Sequence, residues 1–156
     1  YIEEKKPLGT AGALSIFKTN NKSPSIIANS DLLTKINFNE VLEYHIKNNA
    51  DATMAVGIHE ITNPYGVIKL IDNVISEFNE KPTIKNYINA GIYILNNSML
   101  KFLKKNQNIS MIEFFKILKS NKKKIIAYPL HEPWIDLGDF KNFTNSKSLI
   151  HFNKIR

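Results

Sequence analysis

The sequence predicts an α/β protein built on a mixed, mainly parallel sheet with helices on both faces. Three observations lead there. Short runs rich in β-branched residues, such as Ser25-Ile26-Ile27-Ala28, alternate along the chain with amphipathic stretches of helical period. The run Ala52-Thr53-Met54-Ala55-Val56-Gly57-Ile58 is almost continuously apolar, as a strand buried on both faces requires. Between these units Asp72-Asn73 joins two apolar runs at hairpin spacing, so one antiparallel excursion interrupts the parallel pattern.

Residues 1–4 read as the end of a strand and residues 5–9 as a loop. Residues 10–17 are Ala-rich, with Ala11, Leu14 and Phe17 at apolar positions, and read as a short helix. Asn20-Asn21-Lys22-Ser23-Pro24 is a turn cluster. The next four residues, 25–28, read as a short buried strand, which ends on Asn29-Ser30-Asp31, three residues that favour turns. Residues 37–49 read as a helix: Val41, Leu42, His45 and Ile46 share a face, and Asn37 or Asn39 caps it. His45 is expected beside the core, because no other His stands at metal-ligand spacing from it.

After the strand at 52–58, Asn63-Pro64-Tyr65-Gly66 is a turn. Residues 67–71 and 74–78 are hairpin strands, 82–86 a loop and 87–95 another strand. Asn97 or Ser98 caps a short helix to about residue 105. Ser110 caps a second helix, in which Met111, Ile112, Phe114, Phe115 and Leu118 make a wide apolar stripe. Residues 125–130 are a strand and 132–138 a loop or short strand. Asp139 caps a last helix reaching about Ile150.

At 156 residues the chain is one domain or part of one, with no internal repeat and no linker. It has no cysteine, so disulfides and thiolate metal sites are excluded and a cytoplasmic setting is expected. No apolar run approaches the ~20 residues of a membrane span, and no membrane partner is expected. The net charge is +7. Much of the excess lies on Lys101, Lys104, Lys105, Lys116, Lys119 and Lys122-Lys123-Lys124, on predicted helical faces and the loop after them. No aromatic residues interleave with that last run, as single-strand binding would require, so nucleic acid is not an expected partner.

Ligands of open α/β sheets bind beyond the carboxyl ends of strands, which is where Asp31 stands. A carboxylate there can hold a hard cation such as Mg²⁺, or it can simply cap the next segment. Asp136, in Trp134-Ile135-Asp136-Leu137-Gly138, is a second such carboxylate, or a turn Asp before Gly. In Leu8-Gly9-Thr10-Ala11-Gly12-Ala13-Leu14, small residues opening a helix allow close approach of a flat ligand to free N–H groups. Glu80-Lys81-Pro82 sets an acceptor for sugar hydroxyls beside a point charge for phosphate; the plain alternative is an exposed surface pair. Pro64-Tyr65-Gly66-Val67 is a further loop cluster, and Gly91 in Asn89-Ala90-Gly91-Ile92-Tyr93 interrupts a strand, as at close approaches.

Taken in order, these clusters resemble the sugar-1-phosphate nucleotidyltransferase family, also called nucleoside-diphosphate-sugar pyrophosphorylases. The likeness runs from about Pro7 to Phe140, and the ordered set is far more specific than any one cluster. The wording of residues 8–14 is most similar to the mannose-1-phosphate guanylyltransferase-like branch. The resemblance implies a Rossmann-like nucleotidyltransferase fold, with residues 1–156 a single domain incomplete at its N-terminus. It implies Gly9, Thr10 and Ala11 against the nucleobase and Asn29 and Ser30 near the nucleoside. Asp31 and Asp136 would hold Mg²⁺. Glu80 would bond sugar hydroxyls, Lys81 would face the sugar phosphate, and Tyr65, Gly66 and Asn89 would line the sugar pocket. Asp31, Lys81 and Asp136 would then be the catalytic set. Where the family usually carries Gly before the first Asp, this chain has Ser30.

The implied reaction is attack of a sugar-1-phosphate oxygen on the α-phosphate of a nucleoside triphosphate, GTP on the branch likeness, releasing pyrophosphate. That places the intact protein in nucleotide-sugar supply for polysaccharide or glycan biosynthesis, with a homo-oligomer compatible. Two alternatives stay open: a metal-dependent glycosyltransferase on a similar fold, and a non-catalytic nucleotide-sugar-binding module. None of the six glycines belongs to a Gly-rich loop followed by a basic residue that could cradle a triphosphate. The resembled family carries such a loop upstream of the segment matched by residues 8–13, so the 156 residues alone are expected to be inactive.

Overall fold

A computed structural model describes residues 3–17, 19, 21 and 23–138. The described elements, in order, are α1 (Gly9–Gly12), a 3-10 turn (Ala13–Ser15), β1 (Ser25–Ala28), β2 (Leu32–Thr34), α2 (Phe38–Lys47), β3 (Ala52–Thr62), β4 (Val67–Ile71), β5 (Val74–Asn79), β6 (Thr83–Leu95), a 3-10 turn (Asn97–Phe102), α3 (Met111–Ser120), β7 (Ile125–Pro129) and β8 (Trp134–Asp136). The expected last helix from Asp139 and the first two residues of the expected opening strand lie outside the described residues. Glu3 and Glu4 carry no strand.

The sheet is mixed and α/β, as expected. Its order is β1-β6-β3-β7. β3 and β7 pair in parallel, whereas β6 runs antiparallel to both β1 and β3. So β1, β3 and β7 point one way, as a mainly parallel sheet would have them. Yet two of the three pairings are antiparallel, because β6 returns from the hairpin and inserts between β1 and β3. Among the described residues, β4 and β5 pair only with each other, and so do β2 and β8.

Alternation along β6 divides the core. Tyr93 and Leu95 face α3, where they meet Met111, Phe114, Phe115 and Leu118. Ile92 and Ile94 face the other way, onto Val41 of α2 with Ala55 and Ala90. Helices therefore cover both faces. The starts of α2 and α3 are set locally. The Asn37 side chain accepts from Asn39 N–H. Ser110 and Glu113 form a reciprocal capping box, in which Glu113 accepts from the Ser110 backbone and hydroxyl and is thereby held below the usual carboxylate range. His45 is buried, with Nδ1 2.8 Å from Thr53 Oγ1 and Nε2 3.2 Å from Asn96 Oδ1, the core position expected of it. The Asp72-Asn73 turn has φ of 46° and 68°, both in the left-handed region that a two-residue hairpin loop demands.

Some elements differ from expectation. β1 is an edge strand and only half buried, with Ile26 42% exposed, since nothing described pairs beyond it. The expected helix over residues 10–17 is one α-turn followed by one 3-10 turn. Residues 83–86 are strand, not loop: Thr62 and Thr83 pair through their hydroxyls at 3.0 Å and Glu60 pairs with Lys85 at 2.7 Å, contacts that continue β3 and β6 as an exposed arm. Asn97 caps nothing. Its amide accepts from Ser25 Oγ and donates to the carbonyls of Asn21 and Ser23, and the turn after it is 3-10. Ile46 is 55% exposed despite sharing a sequence face with Val41.

Candidate functional site

β1 ends at Ala28, and Asn29 N–H makes one more bond in register with β6, donating to the Gly91 carbonyl at 2.9 Å, before the chain turns. Ser30 and Asp31 make a turn into β2. β2 pairs antiparallel with β8, Leu32 opposite Asp136, and Leu137 N–H donates to the Asp31 carbonyl at 2.8 Å. This register lays Asp136 beside Asp31, though they come from opposite ends of the chain. Both carboxylates flank Gly138. A Cβ placed there would lie 2.9 Å from Asp31 Oδ2 and 3.0 Å from Asp136 Oδ1. Gly138 N–H also donates to Asp136 Oδ1 at 2.8 Å.

Two converging carboxylates form an all-oxygen donor set of the kind Mg²⁺ takes. Mg²⁺ is typically bound by one or two carboxylates and completes its shell from water and substrate phosphates. Among the described residues no third His, Cys, Asp or Glu joins them into a closed protein cage. The residues present therefore fit an ion shared with a phosphorylated substrate.

Residues 89–91 border this pair. Gly91 has φ +73°, and a Cβ on it would sit 2.8 Å from Asn29 Nδ2, so glycine is required for the close approach. The Asn89 amide accepts from Gly91 N–H at 3.0 Å and donates to the Tyr93 hydroxyl at 2.7 Å. Burial pushes the Tyr93 phenol up, and the Asn89 bond partly offsets this. The indole of Trp134 donates to the Ala90 carbonyl at 2.8 Å.

Glu80, Lys81, Tyr65 and Gly66 form a second group at the far end of the β3–β6 arm. A Cβ on Gly66 would lie 2.9 Å from Glu80 Oε2, so the carboxylate rests over a glycine here too. Tyr65 is 76% exposed, and Lys81 is exposed with a left-handed φ of 44°. Both groups border the β3–β6 pairing, the first at Asn89 and the second beyond Thr83.

The third expected cluster differs. Residues 8–11 are stitched to the start of α3. Ile109 N–H donates to the Leu8 carbonyl at 2.8 Å, Ala11 N–H to the Ile109 carbonyl at 3.0 Å, and Met111 N–H to Thr10 Oγ1 at 2.8 Å. Ala11 is fully buried and its N–H is spent, so it is not the free donor expected for a nucleobase. Gly9 is glycine because a Cβ would stand 2.6 Å from the Ile109 carbonyl oxygen. Gly9 and Thr10 remain exposed.

β2 and the roles of Trp134 and Gly138 go beyond what was expected from the sequence. The signal was present in the Trp-x-Asp-x-Gly spacing, which sets Trp134 and Asp136 on one side of a strand.

Comparison with known proteins is consistent with this layout. Residues 1–151 match the family described as Nucleotidyl transferase. The chain is 34% identical over 158 residues to a mannose-1-phosphate guanyltransferase of Pichia angusta, covering 96% of this chain and 43% of the relative. It is 32% identical over 147 residues to the mannose-1-phosphate guanylyltransferase catalytic subunit beta of Danio rerio, covering 90% of this chain and 41% of the relative. The chain thus spans less than half the length of these curated relatives. Among solved structures, HddC from Yersinia pseudotuberculosis complexed with GMP-PN shares the fold at TM-score 0.63 and 20% identity, over 96% of this chain and 64% of that one. A putative glucose-1-phosphate thymidylyltransferase from Bacillus anthracis does so at 0.66 and 17%, over 99% and 64%.

Proposed function

The chain belongs to the nucleotidyl transferase family, and on that premise we propose that the intact polypeptide joins a nucleoside triphosphate to a sugar-1-phosphate. An oxygen of the sugar phosphate attacks the α-phosphorus. A new P–O bond forms there, the bond to the β-phosphate breaks, and pyrophosphate leaves with its electron pair. The products are an NDP-sugar and pyrophosphate. GTP is the donor this reading favours, supported by the guanylyltransferase relatives.

The observation that carries the proposal is the meeting of Asp31 and Asp136 over Gly138. Mg²⁺ held there would neutralise phosphate charge between two anionic reactants. The remaining work falls to the chain. Lys81 presents its ammonium to the sugar phosphate, and Glu80 accepts from sugar hydroxyls over Gly66. Tyr65 and Asn89 bound the sugar, Asn29 and Ser30 meet the nucleoside, and Gly9 and Thr10 offer an exposed surface to the base. Alignment of the two substrates supplies much of the rate, since no protein nucleophile is used. No Gly-rich loop with a following basic residue occurs in these 156 residues. No described helix is long and apolar enough to cross a membrane; a cytoplasmic enzyme supplying glycan biosynthesis, compatible with a homo-oligomer, is the setting proposed.

The test is a screen of the intact polypeptide with nucleoside triphosphates against hexose-1-phosphates, reading pyrophosphate. Release that needs both substrates and Mg²⁺ is expected, with the 156-residue chain alone inactive. Sugar transfer from an NDP-sugar without pyrophosphate would identify a glycosyltransferase. Binding without turnover would identify a sensing module.

A further inference from the structure

We infer that Trp134 is a positioning residue that fixes the Asp136 carboxylate opposite Asp31, through its indole bond to the Ala90 carbonyl. This rests on the proposal that the two carboxylates hold a divalent ion. The need for such a clamp follows from the topology. Among the described residues, β8 is three residues long and pairs only with the three residues of β2, outside the four-stranded sheet. Two-stranded ribbons are marginal unless something packs or ties them. Leu32 and Trp134 pack this ribbon against the buried cluster, and Asp136 takes its reference to the rigid part of the molecule through the strand it shares with Trp134.

The indole supplies it. Trp134 Nε1–H donates to the Ala90 carbonyl at 2.8 Å, and the ring packs against the buried cluster of Ile36, Val41, Ala55 and Ile92. Trp134 and Asp136 are two positions apart on one strand and so lie on the same side of it. A shift of the indole carries the carboxylate with it. The Asp31 side is referenced to the neighbouring residue of the same strand, because Asn29 N–H donates to the Gly91 carbonyl at 2.9 Å. Both halves of the carboxylate pair are thus tied to successive carbonyls of β6. Ala90 is fully buried, so when the indole N–H is removed the carbonyl has no solvent to replace it.

The experiment uses the intact polypeptide and Mn²⁺ as probe, counting free ion by electron paramagnetic resonance. Trp134→Phe keeps an aromatic ring and deletes the donor. It is expected to weaken Mn²⁺ binding about 10-fold or more, the usual scale for outer-shell supports of a metal site. Val41→Ala loosens the same buried cluster without touching the bond. It should lower the melting temperature yet leave Mn²⁺ affinity within about twofold, because the indole bond to the Ala90 carbonyl stays in place. Should Trp134→Phe fail to fold, a benzothiophene analogue at position 134, which keeps the indole shape without the N–H, makes the same comparison. Wild-type Mn²⁺ affinity in the donor-free protein, with Asp136→Asn impaired, overturns the clamp alone. Equal loss of affinity in Val41→Ala also overturns it, by showing packing to be the cause. Wild-type Mn²⁺ binding by Asp136→Asn overturns the metal site and the clamp together.

Discussion

Gly138→Ala separates the geometry of the carboxylate pair from the stability of the fold. The backbone at Gly138 lies outside the left-handed region, so alanine meets no conformational barrier. Its methyl, however, would stand 2.9 Å from Asp31 Oδ2 and 3.0 Å from Asp136 Oδ1, where ordinary contact begins at 3.4 Å. The oxygens must retreat by about 0.5 and 0.4 Å. Both atoms are ends of flexible side chains, and rotating them away costs the fold little; the stability change should stay within about 0.5 kcal/mol. A catalytic constellation tolerates only about 0.5 Å of displacement, and 1 Å can cost 10²-fold. Gly138→Ala should therefore lose about tenfold in kcat/KM, or ~1.4 kcal/mol of transition-state stabilisation. It should also need more Mg²⁺ for half-maximal rate. The assay is pyrophosphate release by the intact polypeptide across a Mg²⁺ series, with thermal melts of the same preparations. Wild-type rate and wild-type Mg²⁺ dependence would refute the placement of the ion between the two carboxylates. A large fall in melting temperature would refute the claim that only side-chain ends yield.

Two further outcomes are expected. Lys81→Ala should weaken sugar-1-phosphate binding by about 10- to 100-fold, the scale of one charged hydrogen bond, while hardly changing binding of the unphosphorylated sugar; equal losses by calorimetry would remove Lys81 from the phosphate. Glu113 is held below its ordinary pKa by the Ser110 backbone N–H and hydroxyl, so its contribution is present above the unfolded value of about 4.3 and is lost as pH falls through the lower folded value. Acid titration of stability should thus be shallower in Glu113→Gln than in the parent, and identical profiles would show the cap to be electrostatically neutral.

What could be read from the sequence was what nearest neighbours along the chain decide. The Asn37 and Ser110 caps, the Asp72-Asn73 hairpin and the strands beginning at Ser25 and Ile125 each depend on side chains within a few residues of one another. A turn residue or a cap acts over one turn of backbone, so its effect is written in that stretch. The same holds for the site residues as chemical types: carboxylates at Asp31 and Asp136, a charge at Lys81, glycines at Gly66 and Gly91.

Tertiary structure decided where those groups go. Residues 83–86 look like a loop alone, and become strand because β3 offers Thr62 and Glu60 as partners. Ala11 looks like a free helix-start donor, yet the Ile109 carbonyl reaches it from a distant stretch of sequence. Ile26 and Ile46 have the hydrophobicity of core residues, but burial depends on what lies opposite, and the described residues leave them 42% and 55% exposed. Asp31 and Asp136 meet because β6 inserts between β1 and β3 and offers adjacent carbonyls, Gly91 to Asn29 and Ala90 to Trp134. Pairings between distant segments depend on the combined register of several strands, which no single stretch of the chain encodes.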